Sequence, residues 1–357
     1  MFDCSAAIDK DTLLCGLFQN MAAKRILIIR TAGLGDTVLM WPAVHAVRVR
    51  YPDASIDVMG HKKRVELLTV PGGIDRALDV EGSGLHHLFE ISTALPDAVC
   101  ERFGGYDTIA VFAGEGDYAL AENLSACGAS EVHAFLPLPR AGEGLRVADY
   151  LQKVLVDQGL GEHVSAPPLP VTEAEREAAL KRLGALGLRG EKLACVAPGS
   201  GSSAKNFEPT RFARLCGELG RLGVEPVLIE GPADREAIAA VQAHPDGAGL
   251  RVLSDDPPRV LKGIFDQACL VVGNDSGPVQ LAAMLGVATV AIFGPSDPEL
   301  WAPIDPRCAV VASRVECAPC TEDEMHACGD RACLDSLRVE DVLDACRSLL
   351  RNGSRGD

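Results

Sequence analysis

The stretch Arg25-Ile-Leu-Ile-Ile-Arg-Thr-Ala-Gly-Leu-Gly-Asp-Thr37 decides how this chain folds. A short continuous apolar run reads as a strand buried on both faces. It passes into a turn with two glycines, Gly33 and Gly35, which permit a tight turn and close backbone approach. A helix then starts near Asp36 and is expected to run to about Tyr51. Its first turn leaves N–H groups without intrahelical partners.

Working outward, the strand–turn–helix order recurs. Strands are predicted at residues 55–59 and 107–112, and a helix at 145–157. Residues 161–170 contain three prolines and little apolar periodicity, and read as a linker. Beyond it the alternation resumes. Strands are predicted at 192–197, 226–230, 270–273 and 288–293, and helices at 172–183, 209–222 and 278–285. Thr172 and Glu175 have capping-box spacing. Alternating strands and helices predict an α/β protein with parallel sheets. Two such series predict two doubly wound, Rossmann-like domains, with ligands at the carboxyl ends of the strands in the cleft between them. The expected division is an N-terminal extension (1–22), a first domain (23–165) and a second domain (166–357) that carries a Cys-rich segment at 317–333.

The 357 residues are 47% hydrophobic and 24% charged, enough for two packed cores. No apolar run reaches the ~18 residues of a membrane span. The net charge of −16 argues against a nucleic-acid partner, which requires clustered cations. An acidic protein that handles an anionic ligand must gather its cations locally. Residues 1–20 carry Asp3, Asp9 and Asp11 where a secretion signal is basic. Single cysteines in apolar settings, such as Cys195 and Cys269, suit a reducing cytoplasm.

Four motifs can carry chemistry. In the first, Asp36 is either a helix N-cap or a catalytic base. The dinucleotide-binding glycine fingerprint is absent there. The second, Ala197-Pro-Gly-Ser-Gly-Ser-Ser-Ala-Lys205, offers Ser200, Gly201 and the Lys205 point charge to a diphosphate, or is simply a polar loop. The third, residues 229–236, ends a strand with acidic residues suited to ribose hydroxyls or to a helix start. The fourth, Gly273-Asn-Asp-Ser-Gly-Pro-Val-Gln280, presents Asp275, Ser276 and Gly277; here too Asp275 reads as a cap or as a ligand group. It is followed by Phe293-Gly-Pro-Ser-Asp-Pro298. Separately, Cys317, Cys320, Cys328 and Cys333 have spacing that admits a tetrahedral metal site, free thiols or disulfides, with His326 as a substitute ligand or a surface residue.

Taken together, the opening motif with Pro42-Ala and Tyr51-Pro-Asp-Ala, Asn274-Asp-Ser-Gly-Pro278 and Phe293-Gly-Pro-Ser-Asp-Pro298 resemble glycosyltransferase family 9, the ADP-heptose:lipopolysaccharide heptosyltransferases, over about residues 24–340. The resemblance implies a GT-B fold and inverting transfer of heptose from ADP-L-glycero-D-manno-heptose to a lipopolysaccharide core or related saccharide or lipid-linked acceptor. It implies that no cofactor is required for catalysis. Asp36 would be the general base. Ser200, Gly201 and Lys205 would hold the diphosphate, Asp234 or Glu236 the ribose, and Asp275, Ser276 and Gly277 the sugar and phosphate. Gln280 stands where the family often has His, which keeps a hydrogen-bonding group but loses a titrating one. The cysteines resemble iron-bound four-Cys sites of some protein-glycosylating relatives, which implies a structural Zn or Fe remote from the sugar. A cytoplasmic enzyme is implied, with peripheral contact at the inner face of the inner membrane; the basic His61-Lys-Lys-Arg64 run is either its acceptor contact or a solvated helix face. The alternatives are a GT-B enzyme or epimerase acting on another nucleotide sugar, and a non-catalytic nucleotide-sugar-binding protein.

Overall fold

The computed structural model describes residues 23–90, 94–113, 118–188 and 192–352. The expected extension at 1–22 lies outside them. In the first half, β1 (Arg25–Ile29) leads into α1 (Leu34–Val38) and α2 (Trp41–Arg50). Then come β2 (Ser55–Gly60), α3 (Lys62–Val65), β3 (Arg76–Asp79), α4 (Asp97–Phe103), β4 (Thr108–Phe112), α5 (Tyr118–Ala126), β5 (Glu131–Phe135) and α6 (Val147–Asp157).

The second half opens with α7 (Glu173–Ala185), whose predicted capping box is present with both hydrogen bonds. It continues through β6 (Leu193–Ala197), α8 (Pro209–Arg221), β7 (Glu225–Glu230), α9 (Arg235–Ala243), β8 (Arg251–Ser254), α10 (Pro258–Gln267), β9 (Leu270–Asn274) and α11 (Gly277–Met284). Last are β10 (Thr289–Phe293), α12 (Pro298–Trp301), β11 (Cys308–Ala312), α13 (Glu322–Ala327), α14 (Ala332–Asp335) and α15 (Val339–Asn352).

The strands form two sheets, ordered β3-β2-β1-β4-β5 and β11-β10-β9-β6-β7-β8. Every pairing is parallel. Each order reverses direction once, between β1 and β4 and between β6 and β9. Those switch points are where doubly wound sheets bind ligands.

Alternation along the strands divides each sheet between two cores. Ile26 and Ile28 face one side of β1, and Leu27 and Ile29 the other. Leu193, Cys195 and Ala197 of β6 share the core of Ile26 and Ile28, whereas Ala194 and Val196 enter a third cluster. One apolar core therefore runs continuously from the first sheet to the second. The Pro-rich connection is held against it: the Trp41 indole N–H donates to Pro167 O at 2.6 Å, and Leu169 N–H donates to Met284 O at 2.8 Å.

The helix expected at 36–51 is instead two. Pro42 sits in the first turn of α2, where a residue lacking N–H is tolerated, so the chain restarts after Leu39 and Met40. Among the described residues, no helix is long and apolar enough to cross a membrane.

Candidate active site

The two switch points face each other through the starts of α1 and α11. A Cβ added to Gly277 would stand 2.8 Å from Leu34 Cβ and 3.0 Å from Gly35 N. One added to Gly35 would lie 3.4 Å from Gly277 Cα and 3.5 Å from Gln280 Cγ. The approach requires glycine at 277, whereas a methyl group on Gly35 would only make ordinary contacts. Gly33, by contrast, is the residue before α1, with φ −63°, and is not in the left-handed region.

Asp36 lies in the first turn of α1 but does not cap it, since that helix start has no side-chain cap. Its Oδ1 instead accepts from Arg30 Nη2 at 3.3 Å, and the side chain stays 31% exposed. Arg30 is buried. Its Nη1 donates to Pro137 O at 2.7 Å, and its guanidinium carbon lies 5.6 Å from the Phe112 ring centre. Its Nε is buried without a hydrogen-bond partner among the described residues. Burial pushes the guanidinium below its ordinary value, with Asp36 opposing. It remains a cation at any physiological pH. Spacing alone gives Arg30 no role; its signal is a cation directly after a buried strand and before the glycine turn.

Across the cleft, Lys205 Nζ lies 3.1 Å from Asp275 Oδ2, joining the end of the β6 loop to the end of β9. Asp275 is buried and is not a cap; Ser276 occupies the position before α11, with no side-chain cap bond. The Ser276 and Ser296 hydroxyls are both buried without a hydrogen-bond partner among the described residues. They end neighbouring strands, and sugar or phosphate oxygens would satisfy them.

Ser200 Oγ lies 2.6 Å from Asn206 Oδ1 and 2.8 Å from Ser202 O, which folds the loop on itself. Gly201 takes φ +76°, a conformation that favours glycine. Fully buried Asn274 pins the loop at both ends. Its Nδ2 donates to Pro198 O at 2.8 Å, and its Oδ1 accepts from Phe207 N–H at 2.9 Å. Asn274 lies inside the fourth motif and Asn206 directly follows the second, and neither has a role legible from spacing alone.

The structure separates the two residues expected at the ribose. Asp234 is buried, accepts from Gly231 N–H at 2.9 Å, and packs so tightly on Gly199 that a Cβ there would lie 1.8 Å from its Oδ1. It holds the turn together. Glu236 is exposed on α9. The carboxylate at the carboxyl edge of β7 is Glu230, half-buried and accepting from Ser254 Oγ. Gln280 is buried, and its Nε2 donates to Trp301 O at 2.7 Å. It lines an interdomain cavity of about 260 Å³ together with Leu39, Asp149 and Ile304.

The basic run on α3 divides. Arg64 Nη1 donates to Ala32 O at 2.8 Å and so supports the glycine turn, whereas Lys62 and Lys63 are exposed.

Cys317, Cys320, Cys328 and Cys333 are free thiols. Among the described residues, no group of three or more His, Cys, Asp or Glu stands in metal-holding geometry. Cys320 Sγ lies 3.3 Å from Cys317 O, and Cys328 Sγ 2.5 Å from Asp330 O; both face main-chain carbonyls. Burial, then the neighbouring cysteines, pushes the Cys320 and Cys333 thiols up. The arrangement does not fit a structural Zn or Fe, and His326 is exposed on α13. The segment packs against the loops that follow β10 and β6, because Cys320 N–H donates to Pro295 O at 2.8 Å and Arg331 Nη2 donates to Asn206 O.

Two Rossmann-like domains facing across a cleft make this a GT-B scaffold. The model of glycosyltransferase family 9 (heptosyltransferase) matches residues 140–328, and the chain belongs to that family; it is a glycosyltransferase. Lipopolysaccharide heptosyltransferase 3 of Escherichia coli is 22% identical over 288 residues, covering 75% of this chain and 83% of that protein. The glycosyl transferase family 9 structure from Veillonella parvula superposes with a TM-score of 0.76 at 22% identity, over 94% of this chain and 99% of that one. The E. coli ADP-heptose lps heptosyltransferase II structure gives 0.70 at 20% identity, over 92% and 99%.

Proposed function

We propose that this glycosyltransferase moves heptose from ADP-L-glycero-D-manno-heptose onto a lipopolysaccharide core or related acceptor, with inversion. The observation that supports this reading is the Gly35–Gly277 contact, in which the residue before Asp36 meets the residue two beyond Asp275, the partner of Lys205.

In this reading the acceptor oxygen attacks the anomeric carbon and its proton passes to Asp36. The bond to the β-phosphate oxygen breaks, and its electrons leave with ADP. A sugar hydroxyl is a poor nucleophile, so a positioned base contributes about 10²–10⁴ in rate. Lys205, the 200–206 loop and the first amides of α11 face the charge that grows on the departing diphosphate. A single displacement needs one base, so no second carboxylate is required. The ribose hydroxyls fit Glu230 better than Asp234, whose oxygens are committed to the turn. Exposed Lys62 and Lys63, beside the glycine turn, suit acceptor phosphates at a membrane face.

Purified protein incubated with ADP-heptose and heptose-free core acceptor should gain one heptose on the acceptor and release ADP, read by mass spectrometry. ADP release from another ADP-sugar alone, or UDP release from a UDP-sugar, would overturn the donor assignment.

A further inference from the structure

We infer that Lys262 is a positioning residue, which fixes the acceptor-side turn against the donor domain by reaching across the domain interface to the carbonyl of Leu67. Lys262 lies on α10 with its side chain fully buried. Its Nζ stands 3.0 Å from Glu175 Oε2 and 3.4 Å from Leu67 O. Glu175 is on α7 in the same domain, whereas Leu67 belongs to the 3-10 turn Glu66–Leu68 of the other domain.

A buried ammonium is costly, and a Lys–Glu pair inside a protein is weak evidence for stability. Neutralising Glu175 does not by itself account for this lysine. Arg259 Nε already donates to Glu175 Oε1 at 2.9 Å, and Thr172 N–H to Oε2 at 2.8 Å. What Lys262 adds is the cross-domain bond. From Leu67 the linkage continues toward the cleft. The turn follows directly on α3, whose Arg64 holds Ala32 O, one residue before Gly33. α3 also packs on α1, which carries Asp36, and α10 packs on both α3 and the 3-10 turn. Lys262 therefore stands at the base of a short chain of contacts that ends at the carboxylate assigned as base.

The kinetic part of the test rests on the proposed donor; the exchange part does not. Lys262→Met keeps the volume and removes the bond. Lys262→Met combined with Glu175→Gln also removes the charge left behind, and keeps the variant folded should the single change fail. Hydrogen exchange of the full chain should quicken at residues 30–38 and 61–68 in both variants, with residues 198–206 unchanged. Transfer should fall about tenfold or more in kcat, as small misplacements of reacting groups do, with ADP affinity retained. The double change should recover the thermal stability lost in the single variant but neither exchange nor kcat. If it recovers them, Lys262 serves only to balance Glu175 and the proposal fails. Wild-type exchange at 61–68 in both variants likewise overturns it. A wild-type protein inactive with ADP-heptose refutes the donor assignment, while the exchange result still decides the role of Lys262.

Discussion

Gly277 and Gly35 are packed backbone to backbone across the cleft, with no room for a methyl group on Gly277. The geometry makes a one-carbon substitution a test of domain approach. Gly277→Ala has to move Leu34 or the Gly35 amide. It should lower kcat about tenfold or more, through misplacement of Asp36, while the isolated donor site still binds ADP. Steady-state kinetics beside ADP calorimetry would separate the two. Gly184→Ala, on α7 away from the cleft, is the control: its side chain would meet open space, and its backbone is helical.

Asp36→Asn should retain ADP binding and lose transfer by about 10²–10⁴. The amide can still accept from Arg30, so the turn keeps its shape. Full activity in this variant would remove Asp36 from the role of base.

Lys205→Met strips the cleft of its facing cation and leaves Asp275 without its ion pair. A loss of about 10²–10³ in kcat, with weaker ADP binding, is expected from a removed charge stabiliser. Unchanged ADP affinity together with unchanged kcat would contradict this placement of the diphosphate.

Asn274→Ala leaves the Phe207 N–H and the Pro198 carbonyl without partners. Each buried orphan costs about 1–3 kcal/mol. The melting temperature should fall, and the donor KM should rise as the 198–207 loop loosens. Asn274→Asp should restore the bond from Phe207 alone.

Glu175 gives a stability prediction with a definite sign. Burial pulls its carboxyl up, but the Thr172 N–H and the Lys262 and Arg259 cations outweigh burial and hold it below its ordinary 4.5. In acid the unfolded chain then binds the extra proton first. The stabilisation is complete above about pH 4.5 and is lost as pH falls through the lower folded-state value. Denaturant titrations between pH 6 and pH 3 should show a shallower acid loss for Glu175→Gln; identical slopes would contradict it.

Which elements the sequence revealed has a physical basis. The strands predicted were β1, β2, β4, β6, β7, β9 and β10, all interior to their sheets. The four that escaped, β3, β5, β8 and β11, are the sheet edges. Interior strands such as β4, β6, β9 and β10 are buried along their whole length and read as apolar runs. Edge strands such as Arg76–Asp79 and Glu131–Phe135 mix exposed and half-buried residues, so no run marks them. The same logic divides the candidate site. Motifs at strand ends were visible because glycine and small polar residues interrupt apolar sequence. Arg30, Asn274 and Glu230 belong to the strands or strand ends themselves, and only their three-dimensional partners give them a task. Cysteine spacing left metal, free thiols and disulfides open because it constrains distance along the chain, not the direction in which each sulfur points.

The apolar cluster shared by Ile26 and Cys195 has a consequence for cooperativity. Halves joined through a common interior cannot melt one at a time without wetting the survivor's face. Calorimetry should therefore record one endotherm for the intact chain, and a fragment ending near residue 165 should be prone to aggregate rather than stand as an autonomous module.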